Sequence, residues 1–326
     1  MQLRRLGRTG FQVSEIGFGA WAIGGSWGAT DDATSLAAMH AAVDAGVTFF
    51  DTADVYGDGR SERLVGQLLR ERPEPLVVAT KFGRRVPLDL SLYTYDNFRA
   101  WLERSLENLG VETVDLVQLH SLPWETYYMP SVFEACDRLV EEGLVRAYGV
   151  SVNKVEEALK AIEHPGLSAV QIIFNIFRQR PAGLFFEQAR ARDVGVIVRV
   201  PLASGLLTGK FTRESTFAPD DHRTFNVHGE AFDQGETFAG VDFETGLDVV
   251  EELRPLVPEG ATPAQLALRW ILSFDAVSTV IPGAKTSEQA RANAAAADLA
   301  PLPPATMERI DALYRERIAP LVHQRW

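Results

Sequence analysis

Eight short apolar runs, separated by stretches with helical spacing, constrain this chain more than any other feature. They are Glu15–Ala20, Val47–Phe50, Leu76–Thr80, Thr113–Leu119, Val145–Val150, Ala169–Phe174, Gly195–Val200 and Ser278–Ile281. All are rich in Val, Ile, Leu or Phe, and most lack strict apolar–polar alternation. Strands buried on both faces read this way, and they occur in parallel sheets covered by helices. The intervening segments supply those helices. Asp32–Ala45 opens on an acidic turn and stops before Gly46, and Arg60–Arg70 carries Leu64, Val65, Leu68 and Leu69 at helical spacing. Tyr95–Leu109, Ser131–Glu142, Lys154–Ile162, Pro181–Arg192 and Ser287–Ala297 follow later strands in the same way.

Eight alternating βα units predict a (β/α)8 barrel, which takes about 250 residues. The 326 residues are read as one domain, 1–326, with the surplus in a long loop after the seventh strand and a C-terminal helix at Ala305–Arg317. Within that surplus, Ser204–Gly240 has no clear periodicity and reads as a functional loop or lid, before helical stretches at Glu244–Leu256 and Pro263–Ser273. A doubly wound sheet would carry a glycine-rich phosphate turn after its first strand. Gly17-Phe18-Gly19-Ala20-Trp21-Ala22 breaks that spacing.

Charge and cysteine usage narrow the functional classes. There are 44 acidic against 32 basic residues, a net charge of −12. Such a surface repels phosphate backbones and anionic lipid, so neither nucleic acid nor membrane is an expected partner. The single cysteine, Cys136, and the lack of an H-E-x-x-H motif give no basis for a metal site. No apolar stretch approaches the roughly 18 residues of a membrane span, and the expected location is the cytoplasm.

Active sites of such barrels lie at the C-terminal ends of the strands. There the chain places Asp51 and Tyr56 after the second run, Lys81 after the third and His120 after the fourth. Ser151 and Asn153 follow the fifth, and Asn175 the sixth. An acid, a phenol, an ammonium and an imidazole thus converge on one rim.

These residues sit in motifs that resemble the aldo-keto reductases nearly end to end. They are Gly46-Val47-Thr48-Phe49-Phe50-Asp51-Thr52-Ala53-Asp54-Val55-Tyr56-Gly57, Ala79-Thr80-Lys81-Phe82-Gly83, Val114-Asp115-Leu116-Val117-Gln118-Leu119-His120, Gly149-Val150-Ser151-Val152-Asn153 and Ile281-Pro282-Gly283-Ala284-Lys285. The resemblance implies NAD(P)H-dependent interconversion of carbonyl compounds and alcohols, with a tetrad of Asp51, Tyr56, Lys81 and His120.

The chemistry of these side chains agrees. Hydride addition to a carbonyl leaves negative charge on oxygen, which needs a proton and donors aimed at it. Tyr56 can donate that proton. An ammonium about 4 Å away favours phenolate by about 4 kcal/mol at an effective dielectric near 20, so Lys81 is expected to bring the phenol toward neutral pH. Asp51 keeps Lys81 charged, and His120 orients the substrate oxygen.

For the cofactor, the resemblance assigns Ser151, Asn153 and Gln171 to the nicotinamide carboxamide, and Gly19, Ala20 and Trp21 to the chain passing beside the nicotinamide. Pro201, Leu202, Ser204, Gly205, Leu206 and Lys210 belong to the loop that covers the pyrophosphate. Gly283, Lys285, Thr286, Gln289 and Asn293 match the adenosine 2′-phosphate region. Arg199 replaces the usual aromatic residue and can stack on the nicotinamide through its guanidinium plane. Gln289 stands where many NADPH-preferring members carry an arginine, which leaves NAD(H) or dual use open, while Lys285 keeps NADP(H) as the expected cofactor.

The substrate is expected to be a small carbonyl or alcohol compound held by Trp21, Tyr56, His120 and Trp124. His222 and His228, in the long loop, either line a substrate pocket or face water, and the second is the expectation. Two other functions use the same residues: a cofactor-binding regulator resembling potassium-channel β subunits, and a barrel aldolase with Lys81 as Schiff-base amine.

Overall fold

The computed structural model describes every residue except Ser26, Gly28 and Ala29. Its main sheet has eight parallel strands in the order in which the chain makes them. A two-stranded hairpin, β1 (Leu3–Arg5) and β2 (Gln12–Ser14), precedes them. The sheet strands are β3 (Phe18–Gly19), β4 (Phe49–Asp51), β5 (Val77–Phe82), β6 (Val114–His120), β7 (Val145–Val152), β8 (Ala169–Ile173), β9 (Gly195–Arg199) and β10 (Val277–Val280). Parallel bridges Ile16↔Val280 and Gly19↔Gly283 join its two edges, so the sheet closes into the (β/α)8 barrel expected from the apolar runs.

The helices α1 (Asp32–Asp44), α2 (Arg60–Glu71), α3 (Tyr95–Leu109), α4 (Pro130–Glu141), α5 (Val155–Ala161) and α6 (Leu184–Ala191) connect successive strands. After β9 come a short α7 (His222–Phe225), α8 (Phe243–Leu253) and α9 (Pro263–Leu272), and after β10 comes α10 (Ser287–Ala294). Their starts follow ordinary capping chemistry. Asp31, Thr94, Thr262 and Thr286 each accept a backbone N–H of the first turn. The expected single helix Ala305–Arg317 is α11 (Pro304–Leu313), a wide turn at Tyr314–Ile318, and α12 (Ala319–Val322). Pro320 has no N–H to give and crowds the carbonyl four residues back, which opens the helix there.

The hairpin escaped the sequence reading because its strands are three residues long and mostly polar. It plugs the bottom of the barrel: Leu6 and Val13 pack with Phe49, Ala79, Leu116, Ala147, Ala169 and Ile197. Gly7 lets it approach β9, since a Cβ there would lie 2.1 Å from the Gly195 nitrogen at a φ of +49°. No helix among the described residues is long and apolar enough to cross a membrane.

Candidate active site

Strand geometry explains how so many polar side chains reach one place. Side chains two apart share a face. The inner face therefore continues from the apolar plug through Phe49 to Asp51, Ala79 to Lys81, Leu116 to Gln118 and His120, Ala169 to Gln171, and Ile197 to Arg199. Register aligns them, with Lys81 opposite Gln118, His120 opposite Ser151 and Ser151 opposite Gln171. The lower layer is apolar, and the upper layer carries the polar groups.

At the centre, Lys81 Nζ donates to Asp51 Oδ1 at 2.5 Å, the Thr52 carbonyl at 2.8 Å and Tyr56 Oη at 3.3 Å. Both Lys81 and Asp51 are buried. The other Asp51 oxygen accepts from Gln171 at 2.7 Å and Gln118 at 3.0 Å. Gln118 was not singled out from the sequence, although its place two residues before His120 puts it on the inner face. Tyr56 and His120 meet edge to face, ring centres 5.8 Å apart.

Burial alone would strip the Lys81 ammonium of its proton, but the Asp51 carboxylate and the Tyr56 hydroxyl outweigh it, and the pKa lies above the ordinary lysine value. Tyr56 departs from expectation. Burial raises its pKa above 10, and the Lys81 charge offsets this only in part, so the phenol is fully protonated at neutral pH. The ammonium alone would lower the phenol's pKa, and desolvation reverses that. Burial, with the charges of Arg84, Lys81 and Arg199, holds His120 well below its usual range, hence neutral.

A cavity of about 780 Å³ opens over these groups. Gly19, Trp21, Ser151, Gln171 and Arg199 line its floor and walls. Pro201, Leu202, Ser204, Gly205 and Lys210 line one side, and Gly283, Lys285, Gln289 and Asn293 the end near α10. Other expected residues lie behind this lining. Ala20 is buried and donates its N–H to the Asp51 carbonyl, Leu206 is in the core, and Thr286 caps α10. Asn153 Oδ1 accepts from Arg199 at 2.6 Å, and the Ser204 hydroxyl is taken up by the Glu236 carbonyl at 2.8 Å. Lys285 Nζ bonds to the Trp27 carbonyl.

Trp124 stands elsewhere. It is exposed, packs edge to face on Tyr128, and lines a separate groove with Lys154 and Lys160. The short helical turn Trp124–Tyr128 carries it away from the mouth.

His222 is a correction of the opposite kind. It is fully buried, with ring centres 5.1 Å from Trp21 and 4.3 Å from Trp27. The long loop folds back over the barrel mouth, so its polar residues Asp221, Asn226 and Glu236 are interior as well. The same folding brings Arg223, Phe232 and Glu236 into the cavity lining, where no local sequence signal marked them.

The model of the Aldo/keto reductase family matches residues 15–315. The aldo-keto reductase YhdN of Bacillus subtilis (strain 168) is 32% identical, over 90% of this chain and 87% of that protein. The probable voltage-gated potassium channel subunit beta of Oryza sativa subsp. japonica is 30% identical over 97% of this chain and 98% of that one. Among solved structures, the glycerol dehydrogenase AKR11B4 from Gluconobacter oxydans matches with a TM-score of 0.79 at 30% identity, over 99% of this chain and 96% of that chain.

Proposed function

The chain belongs to the aldo/keto reductase family, and we propose that it is an NADP(H)-dependent oxidoreductase that reduces aldehydes or ketones to alcohols, or runs the reverse. The observation that carries this reading is the contact of Tyr56 Oη with a buried, carboxylate-held Lys81 beside a neutral His120. When bound, the nicotinamide supplies the hydride. The cavity fits that group: Ser151, Gln171 and the Arg199 guanidinium line it, Lys285 stands at the end near α10, and Lys210 and Arg223 add further cations to the lining. Lys285 favours a 2′-phosphate and hence NADP(H) over NAD(H).

Tyr56 gives its proton to the carbonyl oxygen as charge develops there. The Lys81 ammonium stabilises the phenolate that remains, so the pair stores the proton's charge at the floor of the cavity. Asp51 keeps Lys81 charged throughout and is fixed by Gln118 and Gln171. His120, neutral, aligns the substrate oxygen. The same setting weighs against an aldolase, because Lys81 has no exposure and stays an ammonium rather than a free amine.

Consumption of NADPH or NADH absorbance with a panel of aldehydes tests the proposal. Turnover is expected, with a fall of about a hundredfold or more in Tyr56→Phe. Near-wild-type turnover in that variant would refute the role of Tyr56. The likeness to a potassium-channel β subunit favours a second reading, a cofactor-binding regulator. Tight cofactor binding without turnover on any aldehyde would select it.

A further inference from the structure

Arg84 follows Gly83 just past the end of β5 and lines the cavity. A run of ring contacts links it to Tyr56: Trp21 lies 6.2 Å from Tyr56, Phe232 lies 5.9 Å from Trp21, and the Arg84 guanidinium lies 6.0 Å from Phe232. Among cations, its charge is the largest contributor to keeping His120 neutral. Tyr56, His120 and Arg84 therefore line one cavity, and Trp21 and Phe232 are part of the same lining.

The charges at this mouth do not balance. Arg84 and Arg199 face a single carboxylate, Glu236, at 3.7 and 3.5 Å. Neither contact is a hydrogen bond. Arg199 is otherwise committed, donating to the Val152 carbonyl at 3.1 Å and to Asn153 Oδ1 at 2.6 Å. Arg84 donates no hydrogen bond to protein among the described residues, and its side chain is 21% exposed, toward the cavity. A planar fork of donors is thus held beside an apolar wall, in a chain whose net charge is −12. Such a fork matches a carboxylate in shape and charge.

We propose that Arg84 is a specificity residue that recognises a carboxylate on the substrate, so that the preferred substrates are oxo acids: aldehydes or ketones whose far end is anionic and whose spacer lies against Trp21 and Phe232. Glu236 opposes this charge and tunes it. The inference rests on the reductase reading above and names its substrate class.

The test compares kcat/KM for matched pairs, 4-oxobutanoate against butanal and 4-carboxybenzaldehyde against benzaldehyde, in wild type, Arg84→Gln and Glu236→Gln. Wild type is expected to prefer the anionic member of at least one pair by about tenfold or more, mainly through KM. Arg84→Gln should lower that ratio toward one and Glu236→Gln should raise it. A purely structural role would lower catalysis on both members together and leave the ratio unmoved in both variants. Reduction of butanal and benzaldehyde with no anionic preference in either pair would overturn the Arg84 inference and leave the reductase reading standing. If no aldehyde is reduced at all, the reductase reading fails and this inference falls with it. Should Arg84→Gln not fold, the direction of change in Glu236→Gln decides alone.

Discussion

Asp54 lies two residues before Tyr56, is 1% exposed, and neither of its carboxylate oxygens has a hydrogen-bond partner among the described residues. Burial, reinforced by the Glu62 carboxylate and opposed by Arg85 and Arg104, raises its pKa from 3.8 to about 7. Between those two pH values the folded chain holds a proton that the unfolded chain has released. Stability must therefore fall as pH rises through this window, by at most about 1.4 kcal/mol per pH unit. The whole interval corresponds to about 4 kcal/mol, a large share of the 5–15 kcal/mol that typically holds a domain together. In Asp54→Asn the side chain stays neutral and this slope disappears. Urea unfolding followed by tryptophan fluorescence from pH 4.5 to 8.5 gives the difference between the proteins. The variant should gain about 3–4 kcal/mol relative to wild type as pH rises from 4.5 to 8.5, whatever constant offset the amide introduces. A difference that does not change with pH would refute the claim that Asp54 is buried without a partner.

Three further outcomes follow from named contacts. Asp51→Asn leaves the Lys81 ammonium buried without its counter-charge and should cost about 3–5 kcal/mol in urea unfolding at pH 7; a loss below about 1 kcal/mol would contradict the burial of the pair. In Gly149→Ala a Cβ would lie 2.4 Å from the Ala169 carbonyl oxygen between two central strands. That overpacking should cost about 1–3 kcal/mol, read by thermal or urea unfolding. Burial pushes the Cys136 thiol far above its normal range. It should resist a disulfide reagent at pH 8 in the native protein and react at once in urea, and rapid native labelling would show that α4 opens readily.

The barrel was legible because its signals are local. An apolar run without alternation marks a strand covered on both faces, and the sheet's eight strands sit on the eight runs to within a few residues. Asp51, Lys81 and His120 were legible because they stand at strand ends, and a strand's period of two assigns each to the inner face. The same rule reaches Gln118. The N-terminal hairpin was invisible because three residues per strand, two of them polar, carry no pattern, and its contribution is made by Leu6 and Val13 against strands far along the chain.

What the sequence by itself determined is the order of strands and helices and the residue types that meet at the rim, since both depend on patterns a few residues long. The tertiary structure alone decided the state of those residues. Desolvation of Tyr56 outweighs its lysine neighbour because the side chains packed around the ring displace water, which no spacing reports. The long loop turns inward, burying His222 and setting Glu236 between Arg84 and Arg199, through contacts across as many as 195 positions. Trp124 moves out of the site for the converse reason, as a single short turn points it to a different groove. Charge balance and burial are sums over everything that surrounds a group, and those surroundings exist only once the chain has closed on itself.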